Sequence, residues 1–290
     1  MTDELRPRRS VLYLPGANQR ALDKAATLPA DGLILDLEDA VAPDAKPAAR
    51  EAACAAAADG CFGDREVVIR ANGLDTEWFT DDVDRIVEAD PDVLLVPKVE
   101  SVDQVRTIEA AVEDAGAADD LTIWAMLETP RAVLDARDVV HASSRLTGFV
   151  LGTNDLAKEL RAEHRPGRTP LLTALSWCVL AARDAGKIVL DGVFNDLDDP
   201  EGFEAECRQG RELGFDGKTL IHPKQLEACN RVFTPSDDEV AQAREVIEAY
   251  EAAQAEGRGV VTVAGRMIEQ LHVEQARHTI AVAEAIDARS

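Results

Sequence analysis

The chain has 290 residues, with 55 acidic side chains against 31 basic ones and a net charge of −24. That charge repels nucleic acid and anionic membrane surfaces, and no segment approaches the ~20 uncharged apolar residues of a membrane helix. Five cysteines (Cys54, Cys61, Cys178, Cys207 and Cys229), odd in number and never in C-x-x-C spacing, argue against a zinc site or a disulfide framework and for a reducing compartment.

The N-terminal stretch MTDELRPRRSVLYLPG has no apolar region of signal-peptide length, so a soluble, cytoplasmic protein is expected. Residues 1–30 are a local exception to the acidity. Arg6, Arg8, Arg9, Arg20 and Lys24 face Asp3, Glu4 and Asp23, a balance of +2 (five minus three), so the remainder carries −26. A polyanion, if one binds, is expected at this segment. Arg20 and Lys24 fall on a helix directly after a strand, whereas Arg6 and Arg8 read equally well as a basic tail.

Short runs rich in Val, Ile and Leu then alternate with longer helical patterns. The runs are VLYLP (11–15), GLILD (32–36), EVVIR (66–70), DVLLVPK (92–98), LTIWAML (121–127), LTGFVLG (146–152), KIVLDG (187–192) and FDGKTLI (215–221). Amphipathic or Ala-rich segments at 18–28, 44–59, 101–115, 130–141, 171–185 and 199–213 lie between them. Strands apolar on both faces and joined by helices form a parallel sheet covered on both sides. Eight such units in about 230 residues fit a closed (β/α)8 TIM barrel better than an open sheet.

The pattern changes after the eighth run. Residues 234–259 read as one long helix with Ser236 as N-cap and Asp237, Asp238 and Glu239 in its first turn. A short strand-like piece, a Gly turn and a second amphipathic helix follow. The expected division is a barrel over residues 1–232 and a C-terminal helical extension over 233–290, which either caps the barrel or packs on a neighbouring subunit.

In a parallel barrel, chemistry sits at the C-terminal ends of the strands, where the loops share one open face. The run LILDLEDAV (33–41) ends in Asp36, Glu38 and Asp39, more acid than one turn requires. The other strand ends carry Arg70 and Asn72, Lys98 and Glu100, Glu128, Asn154 and Asp155, Asp191, and His222. A strand end is also a loop start, and loops are polar, so each residue alone also reads as a cap or solvated turn. Their joint placement makes a rim. Other chemistries lack their motifs: the P-loop pattern fails at Glu212, and neither G-x-G-x-x-G after a strand, G-x-S-x-G, nor H-E-x-x-H occurs. Two carboxylates completed by water and substrate oxygens are the usual way of holding Mg2+.

The segments RSVLYLPGANQRALDKA, DGLILDLEDAVAPDAK, VIRANGLDTEW, VPKVE, LETP, GTNDLAKEL, DGVFND, GFDGKTLIHPKQL and GRMIEQLHVEQAR run in order from residue 9 to about 288. Together they resemble the citrate lyase beta-chain family of CoA-ester lyases, within the HpcH/HpaI aldolase/citrate lyase superfamily, and most closely its malyl-CoA lyase and (3S)-malyl-CoA thioesterase group. The resemblance implies a (β/α)8 barrel whose C-terminal extension reaches a neighbouring subunit in a homotrimer or homohexamer, and it implies Mg2+. It assigns Glu128 and Asp155 to the metal, Arg70 to the oxoacid and the developing enolate, and Arg9, Arg20, Lys24 and His222 to the surroundings of the CoA phosphates. Asp36 and Glu38 match the acidic pair beneath the site, where they would orient Arg70 and water. Glu269 stands where lyases of the family place an Asp as acid/base, and it is one methylene longer.

The activity so implied is Mg2+-dependent retro-aldol cleavage of a 3-hydroxyacyl-CoA such as (S)-malyl-CoA to glyoxylate and acetyl-CoA. Alternatives are hydrolysis of its thioester to malate and CoA, citryl- or citramalyl-CoA cleavage, and a non-catalytic CoA-ester-binding subunit. The expected partners are a small CoA ester and an oxoacid.

Overall fold

The computed structural model describes residues 5–289; Asp3 and Glu4, which entered the N-terminal charge balance, lie outside that range. Two compact units are present, residues 8–230 and residues 231–289 together with 5–7.

The first unit is a closed barrel of eight parallel strands in the order β1 to β8. The strands are β1 (Ser10–Pro15), β2 (Gly32–Asp36), β3 (Glu66–Arg70), β4 (Val93–Val96), β5 (Thr122–Leu127), β6 (Leu146–Leu151), β7 (Ile188–Asp191) and β8 (Gly217–Leu220). Every one falls within or beside a predicted apolar run. Closure comes from β1 pairing with β8, with Val11 opposite Thr219.

Side chains alternate across a strand, so every second residue points into the barrel. Val11, Ile34, Val68, Leu95, Trp124, Val150 and Leu190 fill the interior as one buried cluster. The residues between them point outward under the helices. Those are α1 (Gln19–Ala25), α2 (Lys46–Ala58), α3 (Phe79–Ala89), α4 (Val102–Asp114), α5 (Pro130–Leu134), α6 (Ala136–Val140), α7 (Thr153–Leu160), α8 (Leu172–Asp184), α9 (Pro200–Leu213) and α10 (Leu226–Phe233). Small side chains on the buried face of α2 (Ala49, Ala53, Cys54) let it lie close to the sheet. Asn18, Ser101, Thr129 and Asp199 each accept a backbone N–H at a helix start, satisfying donors that the helix leaves orphaned.

The first unit departs from the sequence reading in places, α10 among them, since no predicted helical segment covers it. The single helix expected over 130–141 breaks at Asp135 (φ −92°, ψ 4°) into α5 and α6. A further helix, α3, fills the interval after β3 without a side-chain N-cap to announce it.

In the second unit, α11 (Asp237–Ala255) starts with a capping box in which Ser236 and Glu239 satisfy each other's backbone N–H. It stops at Ala255, short of the predicted 259, because Gly257 turns the chain with φ 77°. The hairpin of β9 (Val261–Val263) and β10 (Arg266–Ile268) closes through Ala264 and Gly265, both at positive φ, as the tightest hairpin turns require. Then α12 (Gln270–Asp287) packs on α11 around Val246, Tyr250, Val263, Ile268 and Val273.

Candidate active site

Strand parity selects which end-of-strand residues face inward. Above the apolar layer of Val11, Ile34, Val68 and Trp124, the next inward positions are Tyr13, Asp36, Arg70 and Met126, with Glu128 one step further. A cavity of about 320 Å3 opens over them, with Tyr13, Asp36, Arg70, Met126, Glu128 and Asp155 in its wall.

Register sets Asp36 directly opposite Arg70. The guanidinium grips the carboxylate in a fork, Nε to Oδ1 and Nη2 to Oδ2, each at 2.7 Å. The same carboxylate accepts the N–H groups of Glu38 (2.9 Å) and Ala40 (3.0 Å), which shapes the turn after β2. Asp36 is thus fully committed to orienting Arg70 and its own loop. Glu38 Oε2 lies 2.8 Å from Arg70 Nη1 as a charge contact without hydrogen-bond alignment, while its Oε1 accepts Lys98 Nζ at 3.0 Å. The Arg70 guanidinium also stacks on Tyr13, 4.9 Å from the ring centroid.

Glu128, buried at 2 % exposure, is held from two sides. Its Oε1 accepts the Lys98 backbone N–H at 2.7 Å. Lys98 presents that N–H from a left-handed conformation (φ 54°), which is strained for any residue with a side chain. On the other side stands Gly152, where a Cβ would fall 2.3 Å from Glu128 Oε2. Burial first, then the negative charge of Glu38, push the Glu128 carboxyl up to about 7, with Asp155 adding to the effect. Burial likewise raises Glu38. Asp155, in the first turn of α7, lies half-buried in the same wall.

The charges do not close. With every carboxylate ionised, as a bound cation would favour, Asp36, Glu38, Glu128 and Asp155 carry four negatives against two positives on Arg70 and Lys98, a formal −2 (two minus four), apart from the exposed Asp39. Among the described residues no group of three or more Asp, Glu, His or Cys side chains forms a closed cage for a metal. A divalent cation fits this donor set: hard oxygen ligands from Glu128 and Asp155, an uncompensated charge of −2, and room for substrate and water oxygens.

Other predicted residues are dispersed. Arg9 precedes β1 and sits at the N-terminal end of the barrel, opposite the cavity. There its guanidinium forks onto Asp31 (2.8 Å for each bond), so the expected place among the CoA-phosphate contacts is corrected; a positive charge in sequence does not say which end of a strand it serves. Arg20 and Lys24 are exposed on α1, which follows the cavity end of β1. His222 follows β8, and its Nδ1 accepts the Lys224 N–H at 3.1 Å. Glu269 belongs to the second unit, where it starts α12 in a capping box with His272. Asn72 serves structure, accepting Lys46 Nζ and donating to Asp82 Oδ2 at 2.6 Å.

Asp191 is corrected too. It is the outward residue after Leu190 and is wholly buried beneath the helices, meeting Arg168 Nη1 at 2.6 Å and Lys218 Nζ at 3.1 Å. Tyr13 and Met126 carry no charge and so give no signal at a strand end. Strand parity was the signal that placed them beside Arg70.

The arrangement can hold one hard divalent cation beside a fixed arginine and can bind an acidic, oxygen-rich substrate. The HpcH/HpaI aldolase/citrate lyase family model matches residues 9–223. A (3S)-malyl-CoA thioesterase of Cereibacter sphaeroides is 48 % identical over 288 residues, 99 % of each chain. The citrate lyase subunit beta of Escherichia coli K12 is 37 % identical over 284 residues, 96 % of this chain and 94 % of the relative. Among solved structures, protein CitE from Mycobacterium tuberculosis in complex with magnesium, acetoacetate and coenzyme A superposes with a TM-score of 0.78 at 29 % identity, covering 95 % of this chain and 97 % of that one. An acid-rimmed barrel mouth with one anchored arginine, matched by the family model and by full-length relatives, makes this chain a member of the HpcH/HpaI aldolase/citrate lyase family.

Proposed function

We propose that the protein is a Mg2+-dependent enzyme acting on (3S)-malyl-CoA, with hydrolysis to malate and CoA as its net reaction. The observation that carries this is the pairing of a −2 carboxylate cluster with Arg70 in one cavity. Hydrolysis is favoured by full-length relatives of that name at 47–48 % identity, against 37 % for a citrate lyase beta subunit. Retro-aldol cleavage to glyoxylate and acetyl-CoA is the second reading, favoured by an arginine placed to stabilise an enolate.

Glu128 and Asp155 would hold Mg2+, which when bound supplies Lewis-acid polarisation of substrate oxygens. The chain's own residues do the rest. Asp36 fixes the plane of the Arg70 guanidinium, so its remaining Nη1 face meets negative charge without reorganisation. Lys98 ties Glu38 to Glu128 and sets the spacing of the two acids. In hydrolysis a water oxygen bonds to the thioester carbonyl carbon, the C–S bond breaks, and the thiol leaves with a proton. Glu269 is the proposed group that takes the proton from water, or in the cleavage reaction delivers one to the acetyl carbon.

Arg20, Lys24 and His222 are proposed as the CoA-phosphate contacts. The C-terminal extension, carrying Glu269, is proposed to pack on a neighbouring subunit of a homotrimer or homohexamer. Among the described residues no helix is long and apolar enough to cross a membrane, and a cytoplasmic setting is part of the proposal.

Incubation with (S)-malyl-CoA and Mg2+ tests the assignment: malate with free thiol supports hydrolysis, glyoxylate with acetyl-CoA supports cleavage. Glu128→Ala is expected to lower turnover at least ~100-fold with the fold intact, because the Lewis acid loses a ligand. Full activity of that variant in excess Mg2+ would refute the site.

A further inference from the structure

Two hydrogen-bond donors in the cavity wall converge on one poor acceptor. Tyr13 Oη donates to Met126 Sδ at 3.9 Å, and Arg70 Nη1 donates to the same sulfur at 3.6 Å. A thioether accepts weakly. The other guanidinium donors, Nε and Nη2, are committed to Asp36. Nη1 also lies 2.8 Å from Glu38 Oε2, but off hydrogen-bond alignment, so its aligned bond and that of the phenol both end on the sulfur and stand prepared for a better acceptor.

The surroundings leave one place for negative charge. The cavity wall carries Asp36, Asp39, Glu128 and Asp155, and Arg70 is its one basic residue among those described. Tyr13 lies beneath that cation, its ring 4.9 Å from the guanidinium carbon, so the same residue that shares the acceptor also fixes the phenol's position. Burial raises the Tyr13 phenol above its ordinary range, which keeps the proton on the oxygen.

We propose that Tyr13 is a catalytic residue: its O–H and Arg70 Nη1–H form a two-donor hole for the thioester carbonyl oxygen. This rests on the CoA-ester reading and holds for either reaction. When water adds, the carbonyl π pair moves onto that oxygen, and it returns as the C–S bond breaks and thiolate leaves. When the C–C bond breaks, its electron pair forms the enolate, with charge on the same oxygen, and protonation at carbon restores the carbonyl. The Tyr13 proton stays on Tyr13 throughout. Met126 holds both donors at rest without competing for them.

The test is Tyr13→Phe, which keeps the ring under Arg70. Turnover of (S)-malyl-CoA should fall about 100-fold, the scale of one lost oxyanion donor, with KM changed less than about threefold and an unaltered thermal transition. Binding gives a second readout through two unreactive CoA ligands, a dethia ketone that keeps the carbonyl and a thioether that lacks it. Wild type should favour the ketone about tenfold, and Tyr13→Phe should narrow that ratio. A variant with turnover within about twofold of wild type overturns the role of Tyr13 alone, as does an equal ketone-to-thioether ratio in both proteins. Wild-type protein without turnover of any CoA ester overturns the reading beneath it as well.

Discussion

Asp36 and Asp191 each end a strand, are almost wholly buried and meet an arginine, yet they belong to opposite kinds of cluster. Asp191 points outward beneath α9. Arg168, Lys218 and Glu206 complete its neighbourhood, two positives against two negatives, with Gln209 accepting from Arg168 Nε at 2.8 Å. Asp36 points inward, and its cluster with Glu38, Glu128, Asp155, Arg70 and Lys98 ends at −2. A charge-balanced cluster in a closed layer locks helices to a barrel. An unbalanced one facing a cavity waits for a ligand. What separates them is one residue of strand parity, not the kind of side chain.

Removing one partner should break the outer cluster hardest. Asp191→Ala leaves the buried Lys218 and Arg168 with Glu206 as their one remaining shared anion, and should cost about 3–5 kcal/mol in urea unfolding while Mg2+ affinity at the mouth stays unchanged. A cost below about 1 kcal/mol would mean the outer cluster is no lock.

The two clusters should also respond to pH with opposite sign. Glu128 is held at about 7 in the folded chain against an ordinary 4.5. Between those values the folded state binds a proton that the unfolded state releases. Stability of the Mg2+-free protein should therefore fall as pH rises from about 4.5 to about 7, by up to roughly 3 kcal/mol. Asp191 is lowered below its ordinary 3.8: burial alone would raise it, but Lys218 and then Arg168 more than offset that. Its contribution is present above that value and lost as pH falls beneath it. Unfolding titrations of wild type and Glu128→Gln separate the two limbs, since the variant should lose the upper one only. An unchanged upper limb would show that Glu128 is not the strained acid.

The smallest effect sharpens the contrast within the mouth. Lys98→Gly keeps the left-handed backbone and its N–H on Glu128, whereas Lys98→Val resists that conformation. Calorimetric titration should find Mg2+ bound about tenfold more weakly by the Val variant than by the Gly variant, the equivalent of ~1–2 kcal/mol of backbone strain. Equal affinities would mean that the Lys98 backbone does not position Glu128.

Much of this is legible in the sequence. Eight Val-, Ile- and Leu-rich runs marked eight strands, because a strand buried on both faces has little freedom in composition. The acids at the ends of β2 and β5 and the arginine that ends β3 stand out because of their place at strand ends. Position along a strand is local information, but orientation and end are not. Asp191 and Leu190 are told apart only by which of them faces the axis, and Arg9 only by which rim it joins. Tyr13 carries no charge and so gave no signal of its own until its neighbours were known. The helix α3 starts at Phe79 after Trp78, which supplies no side-chain cap, and its Asp-rich first turn reads as loop as readily as helix.

The absence of a side chain at Gly152 constrains how this mouth can diversify. Any substituent there would collide with the Glu128 carboxylate, so that flank of the cavity offers selection nothing to vary. The next stretch of wall, lined by Val193, Asn195, Thr219 and Ile221 from the β7 and β8 side, carries no such restriction from Glu128. Variation in the shape of the mouth is accordingly channelled past Gly152 to the β7 and β8 side.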